Sequence, residues 1–346
     1  MMQAIGGYFE LADCEVSKGF PHQDGILLNT GRNALEYILR CIVEVKRVYL
    51  PYYTCEVVLE PLKKLNIPWV FYHINTKFEM VEDIQPKEGE YIIANNYFGI
   101  KDAYIQILAE KYGEQLIVDC AQALFARPVP DIKMFYSTRK FVGVADGGVA
   151  YGVDGKNSLH YVVDDSSLHN SHLRIRKEQG AEAGFRDYQE NETKLDKQPI
   201  RLMCRNTRDI LWQIDYDKVI EKRRANFAYL HEALNDKNSL LLPGMETFAC
   251  PMVYPFVTKS NRDLRKELIE NKVFVAKYWP NVHHLNSYET EYNLAMRVVP
   301  LPCDQRYGAE EMNRIIEIIE DEQKPKRKTA FDSWRDALLL RDSCQG

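Results

Sequence analysis

Lys140 stands in the run Ser137-Thr138-Arg139-Lys140, and Asp146-Gly147-Gly148 follows closely. Upstream lies Leu116-Ile117-Val118-Asp119-Cys120-Ala121-Gln122-Ala123. A partly desolvated lysine is neutral often enough to attack a carbonyl and form a Schiff base. Phe141-Val142-Gly143-Val144 offers such apolar surroundings, and the glycine pair lets backbone approach a ligand closely. An aspartate closing an apolar run sits where α/β sheets present ligands, at the carboxyl end of a strand. A carboxylate there can hold a pyridine nitrogen protonated, so that charge formed at a substrate α-carbon delocalises into the ring. Each residue alone has a plainer reading: a surface lysine, and a carboxylate capping a helix after a strand. Together they point to pyridoxal 5'-phosphate (PLP), with Lys140 as the Schiff-base lysine and Asp119 as the pyridinium partner.

Other residues would complete such a site. Gln122 can hydrogen-bond the cofactor's phenolic oxygen; otherwise it is a satisfied loop amide. Thr30-Gly31-Arg32-Asn33-Ala34-Leu35 opens a helix, and the free N–H groups of a helix start make a phosphate seat. Ser137 would add a hydroxyl to the same phosphate. Arg139 would add charge or face a neighbouring carboxylate. Pro51-Tyr52-Tyr53-Thr54-Cys55 follows a strand and precedes a helix, where an aromatic either stacks on the cofactor ring or packs in the core. Asn95-Asn96-Tyr97-Phe98-Gly99 also ends a strand, which makes Tyr97 a substrate-side candidate. Lys277-Tyr278-Trp279-Pro280 either closes over the substrate, with Lys277 meeting a carboxylate or phosphate and Tyr278 beside it, or is a surface turn.

The elements that must hold these residues follow from periodicity. Helical spacing covers Asn33–Val45, Glu56–Leu65 and Tyr104–Tyr112, the last closed by Gly113. Strands are expected at Val48–Leu50, Trp69–Ile74, Tyr91–Ala94, Leu116–Val118, Lys133–Phe135 and Gly148–Tyr151. This alternation predicts an α/β fold with a mainly parallel sheet in a large domain over residues 1–240. Residues 154–200 are polar and weakly periodic and read as a surface excursion. Asp215–Leu234 is a strong helix rich in Arg and Lys. A small C-terminal α+β domain is expected over 241–321, with strands at Met252–Val257 and Val273–Val275 and helices at Asp263–Glu270 and Ala309–Glu320. A charged tail, 322–346, ends in a short amphipathic stretch around Trp334, Leu338 and Leu339.

Composition narrows the classes. The 346 residues are 45% hydrophobic and 27% charged, enough for a large core, and the net charge of −5 gives no reason to expect nucleic acid or a membrane surface. No apolar run reaches the length of a spanning helix, and Met1–Glu10 does not resemble a signal peptide. The eight cysteines contain no C-x-x-C pair, which predicts reduced thiols and a cytoplasmic protein. The eight histidines show no metal-ligand spacing, so no metal is expected.

From about Gly25 to Ile319 the chain resembles the DegT/DnrJ/StrS-type sugar aminotransferases, PLP enzymes of fold type I. The family's S-G-T-x-A-L is similar to Thr30–Leu35, its P-x-x-T to Pro51–Thr54, and its D-x-A-Q/H-A to Asp119–Ala123. Lys140 with Gly147-Gly148, Arg223-Arg224-Ala225-Asn226, and Leu301-Pro302 before a helix extend the likeness. The resemblance implies that Lys140 carries the cofactor and shuttles the proton, that Asp119 and Gln122 hold the ring, and that Gly31, Arg32 and Ser137 seat the phosphate. It implies amino transfer from glutamate to a keto group on a nucleotide-linked sugar, in polysaccharide or natural-product biosynthesis, by a homodimer with shared active sites. The chain departs at Cys55, where the family has a stacking aromatic, so that role would fall to Tyr53 or Tyr97. It departs again at Phe135, where the family has a serine, and at Asp146, where it has a glutamate. Two other readings stay open: a dehydratase or lyase on the same scaffold, and a non-catalytic binding relative.

Overall fold

The apolar runs of the first half assemble into one sheet. In the computed structural model, which describes residues 3–13, 19–165, 170–260, 262–284 and 289–321, the elements run as follows. The first half holds β1 (Ile5–Gly6), β2 (Ile26–Leu28), α1 (Gly31–Cys41), β3 (Arg47–Pro51), α2 (Leu59–Lys64) and β4 (Trp69–Tyr72). It continues with β5 (Glu90–Asn95), α3 (Asp102–Tyr112), β6 (Leu116–Cys120), β7 (Lys133–Ser137) and β8 (Gly148–Tyr151). Then come α4 (Ser171–Gln179), α5 (Phe185–Leu195), α6 (Arg205–Leu211) and α7 (Tyr216–Leu234). The last part holds β9 (Val253–Phe256), α8 (Leu264–Glu270), β10 (Val273–Phe274), α9 (Glu289–Arg297), β11 (Val299–Pro302) and α10 (Ala309–Glu320). The predicted tail and its amphipathic stretch lie outside the described residues.

The large sheet has seven strands in the order β2-β8-β7-β6-β5-β3-β4. β4, β3, β5, β6 and β7 run parallel; at the β7 edge β8 pairs antiparallel to β7 and β2 antiparallel to β8. Strands β5 and β6 are almost wholly buried, as a sheet covered on both faces requires. α1 caps its own first turn with Thr30, whose hydroxyl accepts from the Asn33 N–H at 3.1 Å.

Several expectations shift. Asp119 lies within β6 rather than after it, opposite Asn95 and Phe135. Residues 154–200 are not a bare excursion, since α4 and α5 stand within them. β1 pairs in parallel with β10, so the N-terminus joins the C-terminal part of the chain. β9 and β11 form a second antiparallel pair.

α7 ties these parts together. Arg223 is fully buried and donates from Nε to Gln305 Oε1 (2.8 Å), from Nη1 to the carbonyls of Met252 (3.0 Å) and Pro251 (3.3 Å), and from Nη2 to that of Phe141 (3.2 Å). Asn226 donates to the carbonyls of Asp304 and Tyr307.

Candidate active site

The carboxyl ends of β5, β6 and β7 meet the N-terminus of α1, and a cavity opens there. Its walls include Gly31, Arg32, Cys55, Asp119, Gln122 and Lys140. Asn95, Asn96, Phe135 and Trp279 line it as well. Asp119 is held by its own turn, with Oδ1 accepting from the Ala121 N–H at 2.8 Å. Burial raises its pKa, and the Ala121 N–H and the nearby Lys140 charge oppose that rise. Gln122 is fixed by the Phe98 N–H, which donates to Oε1 at 2.9 Å, while its Nε2 is buried with no partner. The half-buried Lys140 makes no hydrogen bond or ion pair with the described residues.

The α1 end is tightly built. A Cβ on Gly148 would lie 2.2 Å from the Thr30 carbonyl oxygen, and one on Gly31 would lie 3.5 Å from Ser137 Cβ. Ser137 Oγ is fully buried without a partner. Arg32 turns its tip toward two carboxylates, Glu60 at 2.8 Å and Asp196 at 2.9 Å, and leaves Nε buried and unpartnered. Thr30 and Asn33 stand behind the cavity wall: Thr30 as the helix cap, Asn33 donating to Asn29 Oδ1 (2.7 Å) and the Pro199 carbonyl (3.0 Å).

Neither aromatic expected to stack reaches the cavity wall. Tyr53 OH donates to the Tyr278 carbonyl (3.1 Å) and Tyr97 OH to the Tyr53 carbonyl (2.7 Å), so both are fixed in the layer behind it. Trp279 is the aromatic that lines the cavity, together with Cys55. It is 2% exposed, meets Tyr53 edge to face at 4.7 Å, and carries a buried Nε1 with no partner. Its place was not legible in sequence, because 224 positions of chain separate it from Cys55 and nothing local marks that the two share a cavity. Lys277 lines neither cavity of this region; burial lowers its pKa and Arg265 adds to that.

Lys140 also borders a second, larger cavity of about 1270 Å³ including its mouth. Tyr278 lines this one, as do Tyr8, Arg139, His172 and Arg176. Arg139 is ion-paired with Glu192 of α5. Among the described residues no group of three or more His, Cys, Asp or Glu could hold a metal ion, and no helix is long and apolar enough to cross a membrane.

The donor set suits PLP in kind. A buried carboxylate, an orphaned amide N–H and an orphaned hydroxyl beside a helix start are what a pyridinium, a ring oxygen and a phosphate each need.

No protein-family model matches the chain, and no curated protein matches it in sequence. Solved structures do match in shape. The chain is similar to S. venezuelae DesV, solved in complex with a ketimine intermediate, with a TM-score of 0.62 and 16% identity over 90% of this chain and 87% of that one. It is similar to a DegT DnrJ EryC1 StrS aminotransferase from Brucella abortus, with a TM-score of 0.55 and 17% identity over 85% and 84%. A putative sugar aminotransferase, Spr1654 from Streptococcus pneumoniae in its PMP form, gives 0.60 and 16% over 91% and 93%. The chain thus has the α/β fold of the type I PLP-dependent aminotransferases, along almost its whole described length.

Proposed function

We propose that the protein is a PLP-dependent aminotransferase that moves an amino group, from glutamate, to the keto group of a nucleotide-linked sugar. It would act in the cytoplasm, as a homodimer, in polysaccharide or natural-product biosynthesis. One observation carries the reading. Lys140, Asp119 and Gln122 converge on a single cavity at the strand ends, with the polar atoms a cofactor would engage buried and unpartnered. The fold neighbours support it: Spr1654 was solved in PLP and PMP forms.

When bound, PLP supplies the electron sink for charge at the substrate α-carbon. The chain would supply the rest. Asp119, anchored by the Ala121 N–H, holds the pyridine nitrogen protonated. Gln122 Nε2 is the donor free for the ring oxygen. The first amides of α1 at Gly31 and Arg32, with Ser137 Oγ, seat the phosphate. Trp279 covers the ring in place of the aromatic missing at Cys55. Lys140, which lines both cavities, would hold the cofactor and then carry a proton at the substrate α-carbon through Nζ. The surrounding apolar walls exclude water from that proton transfer.

Visible spectroscopy tests this. Protein with added PLP should develop the long-wavelength Schiff-base band, glutamate should bleach it, and Lys140→Ala should show no such band. A Lys140→Ala protein that keeps both the band and turnover would overturn the assignment. A wild-type band indifferent to every amino donor would move the activity to a dehydratase or lyase.

A further inference from the structure

The larger cavity beyond Lys140 has its own charged wall, built from the N-terminus and the two helices that sequence periodicity did not reveal. Arg176 of α4 is 6% exposed. Its Nε donates to Glu10 at 3.0 Å and its Nη2 to the Gly6 carbonyl at 2.8 Å, but Nη1 is buried with no partner. The guanidinium lies over the Tyr8 ring at 4.6 Å, and Tyr8 stacks on Tyr188 of α5 at 4.6 Å. His172, one turn before Arg176, is 2% exposed, and its Nδ1 is also without a partner. Arg139, next to Lys140 on the wall of the larger cavity, has Nε and Nη1 buried and unpartnered while Glu192 takes the third nitrogen.

An unsatisfied donor on a buried guanidinium is costly, because its desolvation is not recovered. The local carboxylates do not answer it. Glu10 is shared between Arg176 and Arg306, Asp304 is paired with Arg306, and Glu192 with Arg139. Burial and the neighbouring Arg139 charge lower the His172 pKa to about 4, so the imidazole is neutral at pH 7 and offers one N–H and one acceptor. The wall therefore presents fixed cationic donors in a mostly apolar, aromatic chamber.

We infer that Arg176 and His172, with Arg139 on the same wall, form an anion subsite that holds the carboxylate or phosphate of the substrate against Lys140. Calling that anion the substrate's rests on the aminotransferase reading; the anion site itself does not. Arg176→Lys keeps the charge and can keep the Glu10 pair, but has no second nitrogen to aim into the chamber. His172→Phe keeps the ring packing and removes the polar nitrogen. Calorimetric titration of the full-length protein, with and without PLP, would use 2-oxoglutarate as the carboxylate probe and uridine diphosphate as the phosphate probe. Circular dichroism would confirm that each variant is folded.

Loss of one charge-assisted hydrogen bond should weaken the recognised probe by about tenfold to hundredfold in both variants. A loss confined to 2-oxoglutarate assigns the site to the amino donor, and one confined to uridine diphosphate assigns it to the acceptor. Folded variants that bind both probes as wild type does, or a wild-type protein that binds neither, would overturn the subsite. A wild-type protein that forms no PLP band yet binds a probe through Arg176 would sink the aminotransferase reading and leave the subsite standing.

Discussion

Asp146, just before the glycine pair, should make the protein less stable as pH rises toward neutrality. The residue is 1% exposed, and burial pushes its pKa from 3.8 up to about 7, against the opposing Thr207 hydroxyl, Cys204 N–H and Arg139. One carboxylate oxygen accepts from Cys204 N at 3.0 Å and the other has no partner. The folded protein therefore keeps a proton that the unfolded chain releases above about pH 4. More protons are bound in the folded state, so this contribution is fully present below pH 3.8 and is lost as pH rises through about 7. At about 1.4 kcal/mol per pH unit, the loss is on the order of 4 kcal/mol. The test compares urea unfolding of wild type and Asp146→Asn from about pH 4 to about pH 8. The variant should gain on wild type by about 1.4 kcal/mol per pH unit and level off above neutrality. A constant offset from altered hydrogen bonding does not affect that slope. His22 and His172, whose pKa values burial lowers to about 4, act in the opposite direction, but both proteins contain them. Parallel curves would refute the claim that Asp146 is protonated in the fold at mildly acidic pH.

Arg223→Met should cost about 3 kcal/mol or more in chemical denaturation, because the buried carbonyls of Met252 and Pro251 lose their guanidinium donor and that of Phe141 keeps only Gln305. Gly148→Ala should leave the helical content intact but weaken PLP retention at least about tenfold in dialysis followed by absorbance, since its Cβ would meet the Thr30 carbonyl at 2.2 Å and displace the α1 N-terminus. Trp279→Phe should abolish most of the tryptophan quenching that accompanies PLP binding; unchanged quenching would place the indole away from the cofactor.

The parts legible in sequence are those whose signal is local. β5, β6 and β7 are apolar runs, and α1 and α7 have apolar stripes, so their existence and order could be read directly. Asp119, near the end of β6, and Gln122, just past it, could be placed because a strand's carboxyl end fixes where the residues around it point. α4 and α5 could not. α4 buries His172, Leu173 and Arg176, and α5 buries Phe185, Glu192 and Leu195. Two of the three residues α4 buries and one of the three α5 buries are polar, and the charged partners of Arg176 and Glu192, namely Glu10 and Arg139, are remote in sequence. β11 was hidden by Pro300 and Pro302, which a short two-stranded pair with β9 tolerates. β1 is two residues long and exists only through β10.

The departures from the family pattern sort by the same physics. Cys55 stands where the family has an aromatic, and Trp279, next to the Tyr278 carbonyl that Tyr53 holds, lines the same cavity from the other end of the chain. Arg32 brings a charge to the helix start where the family has a small hydroxyl, and Glu60 and Asp196 take up that charge. Because both carboxylates draw on Nη1, Glu60 and Asp196 already offset much of the guanidinium's charge. Phosphate affinity at this helix should then depend on the α1 amides and Ser137 more than on Arg32. Ser137→Ala should weaken PLP retention, whereas Arg32→Lys should act mainly on stability, through the two carboxylates it leaves less well paired. If Arg32→Lys instead releases PLP without lowering the unfolding midpoint, the arginine faces the cofactor in solution and the carboxylate pairing is secondary.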